Sequence, residues 1–159
     1  MIFLTVGTLF PFDRLVMAVD EAVGKGQISE EIIGQIGHGG KYPKNFASYE
    51  HLEKHRYDEY VEKSSAMISH AGMGTILAAL NAKKPLLVMP RLHKFKEIVN
   101  DHQLPTAEKF EKFGRIVAAY EPDQIPEKFN LLKTFVPHER HTQLEKVIEK
   151  ISGFLDGGK

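Results

Sequence analysis

Short apolar runs alternate along this chain with stretches whose apolar residues recur every three or four positions. Ile2-Phe3-Leu4-Thr5-Val6 is apolar and β-branched until Gly7, the pattern of a strand buried on both faces. Phe12, Leu15, Val16, Val19 and Val23 follow at helical spacing, with Pro11 near the start and Gly24 near the end. The unit then recurs. Residues 31–36 read as a second strand closed by Gly37-His38-Gly39-Gly40, and 47–52 as a third. Residues 56–64 read as a short helix, and Ala66-Met67-Ile68-Ser69 as a strand running into His70-Ala71-Gly72-Met73-Gly74-Thr75. A helix over 75–82, a strand over 85–89, a helix over 100–113 with Leu104, Ala107, Phe110 and Phe113 on one face, and a last strand over 115–119 complete the series.

Strands that alternate with amphipathic helices predict a parallel sheet covered on both faces and joined by right-handed crossovers. The expected fold class is α/β: one Rossmann-like, doubly wound parallel sheet. A core over residues 1–120 is followed by a helical region over 121–159. Within it, residues 138–155 place Leu144, Val147, Ile148, Ile151 and Phe154 on one stripe of a long amphipathic helix. That stripe packs on its own domain or docks a partner.

Composition narrows the function. At 159 residues the chain is expected to be one domain. Lysine plus arginine and aspartate plus glutamate both number 21, so no net field attracts nucleic acid or anionic lipid, and any anion must be bound locally. The absence of cysteine excludes disulfides, thiolate zinc and thiol nucleophiles. No apolar run approaches the roughly 20 residues of a membrane span, and the first ten residues lack the basic start and cleavage site of a signal peptide. A cytoplasmic location is expected.

Open parallel sheets bind ligands beyond the carboxyl ends of their strands, which directs attention to three turns. These are Gly7-Thr8, Gly37-His38-Gly39-Gly40 and His70 to Thr75. In the last, two glycines let the backbone approach a ligand, and a helix start offers free N–H groups to a diphosphate. Glycines also serve bare tight turns. The dinucleotide fingerprint G-x-G-x-x-G fails at Leu77, and the P-loop fails at Gln35 and Tyr42. His51 and His55 lack the glutamate of H-E-x-x-H, and His138 with His141 is a bare pair, so no metal site is expected. Ser69-His70 is not read as a nucleophile and base, because strand neighbours point to opposite faces. Pro90-Arg91, then Glu97 with Asn100-Asp101-His102-Gln103, concentrates polarity just after a buried strand. Asp101 either caps the following helix or joins carboxylate and amide groups that grip sugar hydroxyls.

Taken in order, Thr5-Val6-Gly7-Thr8 with Pro11-Phe12-Asp13-Arg14-Leu15, Gln35-Ile36-Gly37, Ser69 to Thr75, Met89-Pro90-Arg91, Glu97 and Asn100 to Gln103 resemble the glycosyltransferase family 28 C-terminal domain. The resemblance runs from residue 2 to about residue 120. It is closer to stand-alone members that supply the donor-binding half of bacterial exopolysaccharide transferases and of the eukaryotic transferase that adds N-acetylglucosamine to dolichol-linked sugar. In that family two Rossmann-like halves form a GT-B enzyme, and the C-terminal half binds a UDP-sugar in the cleft between them.

The resemblance implies that Gly7 and Thr8 line the cleft near the diphosphate and that Gly37 and His38 lie near the base. It implies that His70, Ala71, Gly72, Met73, Gly74 and Thr75 hold the diphosphate. Glu97, Asp101, His102 and Gln103 would contact the ribose or donor sugar, and Arg91 and Asn100 would belong to the same nucleotide-sugar site. Amides at Gly74 and Thr75 can stabilise charge building on departing UDP, so no metal or other cofactor is strictly required. His70 is the candidate catalytic residue, with the acceptor site and its base expected largely in the other half. One departure stands out. Close bacterial relatives tend to carry a small or glycine-containing linker where this chain has Leu92-His93-Lys94-Phe95-Lys96, which leaves the donor sugar open; Lys94 and Lys96 either reach phosphates or are solvated.

The expected function is therefore the donor-binding catalytic subunit of a two-component, inverting, UDP-sugar-dependent glycosyltransferase acting on a lipid-linked acceptor, as in exopolysaccharide biosynthesis. A membrane-anchored partner subunit would complete it and recruit it to the cytoplasmic membrane face. The alternative is a non-catalytic nucleotide-binding or regulatory module, possible as a homodimer.

Overall fold

Four-residue apolar strands can hide both of their faces only inside a sheet with helices above and below. The computed structural model, which describes residues 1–138, has that arrangement. Its elements run β1 (Ile2–Thr5), α1 (Asp13–Gly24), β2 (Ile32–Gln35), β3 (Ala47–Tyr49), α2 (Lys54–Lys63), β4 (Ala66–His70), α3 (Met73–Asn81), β5 (Leu86–Met89), α4 (Gln103–Lys112), β6 (Val117–Ala118) and α5 (Ile125–Leu132), with 3₁₀ turns at His93–Phe95 and Pro122–Gln124. All strand pairs are parallel, in the order β3-β2-β1-β4-β5-β6. This is the doubly wound α/β fold the pattern predicts.

Side chains alternate between two buried layers as the two-residue period of a strand requires. Ile2, Leu4, Ile68, Leu87, Met89 and Val117 pack with Leu15, Val16 and Val19 of α1 and Ile125, Phe129 and Leu132 of α5. Phe3, Met67, Leu86, Val88 and Ala118 face Val61 of α2, Ile76 and Ala79 of α3, and Ala107 of α4. The strand order reverses at β1 and β4, where Thr5 lies in register with Ser69. Loops leaving these two strands diverge to opposite faces and open a crevice at the carboxyl edge.

Several boundaries differ from the sequence reading. Helix α4 begins at Gln103 rather than near residue 100. Pro105 explains this, because its missing N–H is harmless only in a first turn. Phe113 follows the helix end and is 50% exposed rather than buried. Helix α3 starts at Met73, with Gly72 extended before it. Strand β3 ends at Tyr49 and β6 is reduced to two residues. The stripe Leu144 to Phe154 lies outside the described residues.

Candidate functional site

The crevice is built from the loops after β1, β2, β4 and β5. Gly7 turns the first of them with φ of +81°, a left-handed conformation that glycine adopts without steric cost. Its carbonyl accepts a hydrogen bond from Gln35 Nε2 at 3.2 Å. Thr8, Leu9 and Phe10 then project into solvent, with Leu9 81% exposed. Gly37 packs beneath this loop: a Cβ there would lie 3.0 Å from the Phe10 carbonyl oxygen and 3.1 Å from Pro11. His38 is exposed beyond Gly37, its Nδ1 2.9 Å from Glu50 Oε2.

His70 ends β4 at the centre of the crevice, between the Gly7 and Gly72 backbones. An added Cβ would come within 3.1 Å of its Cε1 at Gly7 and 2.1 Å of its Nε2 at Gly72. Ser69 and His70 do not point apart as strand neighbours should. At the end of β4 the ring folds back, and Ser69 Oγ lies 3.2 Å from His70 Nδ1. Ser69 Oγ donates its own proton to the Thr5 carbonyl at 2.6 Å, so it accepts from Nδ1–H and leaves the Nε2 lone pair facing Gly72. Burial, reinforced by the charge of Arg91, holds the imidazole down at about 4, so His70 is neutral at pH 7.

Next to that ring, α3 presents its amino end. Met73 and Gly74 are exposed, and nothing lies within 4 Å of where a Gly74 Cβ would be. The first intrahelical bond runs from Ile76 N to Gly72 O at 3.0 Å, leaving the amides before it to an external acceptor. Ala71 and the Thr75 side chain turn away into the core, where Thr75 hydrogen-bonds Tyr57. Thr75 therefore offers a main-chain N–H to the crevice, not its hydroxyl.

Two arginines stitch the β1 and β5 loops together. Arg91, 3% exposed, donates Nη2 to the carbonyls of Val6 and Phe10 at 2.8 and 2.7 Å, and Nη1 to that of Pro11 at 2.8 Å. Burial lowers its pKa to about 10, which leaves it charged at neutral pH. Gln103 Oε1 accepts from Arg91 N at 3.1 Å. In the opposite direction Arg14 of α1 reaches Glu97 through Nε and Nη2, both at 2.9 Å, and the Pro90 carbonyl at 2.8 Å. Asp101 does not cap α4. Its carboxylate accepts from His93 N at 2.6 Å, tying down the 3₁₀ turn. Asn100 Oδ1 accepts from His102 Nδ1 at 2.5 Å, both on an exposed turn.

The tertiary structure thus brings Gly7, His70 and Gly72 together, with Gly74 exposed in the first turn of α3, and ties Glu97 to the neighbouring β1 side through Arg14 and Arg91. Arg91 and Gln103 serve as the β5 loop's scaffold, and Asn100, Asp101 and His102 are bonded within its outer turn. Two residues absent from the sequence-based site are Arg14 and Gln35. Both stand within the motifs that carry the family resemblance; Gln35 is also a polar residue at the end of the run Ile32-Ile33-Gly34, whereas Arg14, beside Asp13, has no distinguishing local signal.

Comparisons with known proteins bear on the family and the fold. Human UDP-N-acetylglucosamine transferase subunit ALG13 is 33% identical over 124 residues, covering 72% of this chain and 10% of its own, so the chain spans about a tenth of that relative's length. The glycotransferase of kitacinnamycin superposes with a TM-score of 0.63 at 19% identity, over 84% of this chain and 34% of that one. The NMR structure of ALG13 superposes with a TM-score of 0.59 at 19% identity, over 94% and 93%. These structural likenesses establish the GT-B-type fold. The model of the glycosyltransferase family 28 C-terminal domain matches residues 1–152, and the chain belongs to that family.

Proposed function

We propose that this chain is the donor-binding catalytic subunit of a two-component, inverting glycosyltransferase that transfers a sugar from a UDP-sugar to a lipid-linked acceptor. The observation that carries the reading is the open amino end of α3, with Gly72 and Gly74 stripped of side chains beside the neutral ring of His70. A diphosphate seated there meets main-chain N–H groups of Gly74 and Thr75 and the positive end of the helix dipole. As the glycosidic bond breaks, negative charge grows on the departing UDP, and fixed donors stabilise it most at that moment. This arrangement does not depend on a metal ion.

A neutral His70 suits this seat in two ways. Its Nε2 lone pair can accept a hydrogen bond from a donor hydroxyl, and its ring sets the gap between the β1 and β4 loops. The general base for the acceptor hydroxyl would come from the other half, facing the crevice. Human ALG13 is by its name a subunit of a UDP-N-acetylglucosamine transferase, which makes UDP-N-acetylglucosamine the first donor to test.

The need for another half is supported by the crevice rim. Leu9, Phe10, Phe95 and Val99 are 81, 59, 47 and 84% exposed around the site, an apolar collar of the kind a docking partner covers. Among the described residues no helix is long and apolar enough to cross a membrane. Attachment to the cytoplasmic membrane face would then come from the partner, with the chain acting as one donor-binding domain in exopolysaccharide or glycolipid synthesis.

Calorimetry with UDP and UDP-N-acetylglucosamine tests the reading. The wild-type chain is expected to bind both, and Gly72→Trp to lose at least about tenfold in affinity for each, or 1.4 kcal/mol. Absence of binding by the wild type, or normal affinity in Gly72→Trp, rejects the proposed seat. Binding without sugar transfer in the presence of the complementary half would leave a non-catalytic nucleotide-binding module.

A further inference from the structure

The Arg14–Glu97 pair joins parts of the chain that are far apart in sequence. Arg14 lies in the first turns of α1, and Glu97 follows the 3₁₀ turn after β5, 83 residues away. The contact is a two-point fork: Nε to Oε1 and Nη2 to Oε2, both at 2.9 Å, with side chains only 13 and 11% exposed. The guanidinium is itself located by the Pro90 carbonyl and by the rings of Phe12 and Phe95, at 5.3 and 4.9 Å from their centroids. Leu92 N donates to Glu97 Oε2 at 2.9 Å, closing the loop on itself. The carboxylate is thereby confined to one orientation.

Surface stapling would not need this much. Arg91 already bonds the β1 loop and also reaches the Glu97 main-chain carbonyl at 3.4 Å, while Gln103 fixes Arg91 N. The loop path is therefore held independently of Arg14. What Arg14 adds, together with Leu92 N, is the direction in which the Glu97 carboxylate points. Among the described residues Oε2 takes two hydrogen bonds and Oε1 one, so Oε1 keeps a lone pair for a hydroxyl.

We propose that Arg14 is a positioning residue for donor-sugar recognition: its fork orients Glu97 so that Oε1 accepts from a hydroxyl of the sugar part of the donor. The proposal rests on the donor-binding reading above and adds a residue of α1 to the determinants of sugar selectivity. Lysine cannot substitute fully, because a point charge lacks the paired donors that set the carboxylate plane.

The test uses the whole chain and two readouts. Affinities for UDP and UDP-N-acetylglucosamine are measured for wild type, Arg14→Lys, Arg14→Gln, Glu97→Gln and the double variant Arg14→Gln/Glu97→Gln. The ratio of the two affinities is expected to shift against the sugar nucleotide by about fivefold or more in Arg14→Gln and Glu97→Gln, and less in Arg14→Lys. The double variant should shift it no further than the worse single, because both act through one group. A ratio unchanged in Arg14→Gln or Glu97→Gln, equal loss of both ligands in Arg14→Gln, or additive losses in the double variant overturns the proposal. NMR amide exchange supplies the second readout without ligand: Leu92 N–H should exchange faster in Arg14→Gln, and unchanged exchange rejects the positioning role by itself. Wild-type protein that binds neither nucleotide rejects the donor-binding reading and this proposal with it.

Discussion

At Gly72 there is no room for a methyl group, because an added Cβ would lie 2.1 Å from His70 Nε2. Gly72→Ala must displace the imidazole that separates the β1 and β4 loops. The expected result is about 1–3 kcal/mol of destabilisation in denaturant unfolding and weaker UDP binding by calorimetry. His70 also couples stability to pH. Its folded pKa of about 4 lies below the ordinary 6.5, so the unfolded chain binds more protons in that interval and stability rises with pH. The contribution is complete above pH 6.5 and is lost as pH falls toward 4, a change on the order of 3 kcal/mol. Unfolding measured from pH 7 to 4.5 should show the slope, and His70→Asn should flatten it; a His70 ring titrating near 6.5 by NMR would contradict it. Lys96 presents a third case. Its φ is +58°, a left-handed conformation costing an L-residue about 1–2 kcal/mol, against about 0.5–1 kcal/mol for the extra chain freedom of glycine. Lys96→Gly should therefore raise stability by about 0.5–1 kcal/mol in the same assay.

Among the elements, α5 matters most for the layer beneath the crevice. Ile125, Phe129 and Leu132 are at most 1% exposed and close the side of the sheet that α1 covers only in part. Phe129→Ala should cost about 3–5 kcal/mol, seen as a lower denaturant midpoint with an unchanged slope. Periodicity indicated a helical region here but not which part of it is core. Helix α4 makes the complementary point. Its apolar spacing, legible from Leu104, was extended back to residue 100, yet Pro105 sets its start at Gln103 and leaves Asn100, Asp101 and His102 before the helix. That change is what allows Asp101 to hold the His93 amide instead of capping a helix.

For the whole molecule, one edge of the sheet carries both the polar crevice and its apolar collar. Leu9→Asp and Val99→Asp replace side chains 81 and 84% exposed, so the isolated chain should keep its stability within about 0.5 kcal/mol. Association with the complementary half, followed by co-purification, should be lost. Retained association would place the interface elsewhere.

The order of strands and helices, the glycine turns and the family motifs were legible from the sequence because each depends on neighbours a few positions away. Period, turn chemistry and helix starts are local properties. What the sequence could not show was which polar side chains face the ligand and which hold the frame. Arg91 and Gln103 carry the residue types of a binding site, yet their hydrogen bonds go to the backbone of their own and neighbouring loops. Arg14 looks like an ordinary helix residue and meets Glu97 only because the sheet reverses its strand order between β1 and β4. Burial and partners separated by about eighty residues are consequences of the closed sheet, and tertiary structure alone decided them.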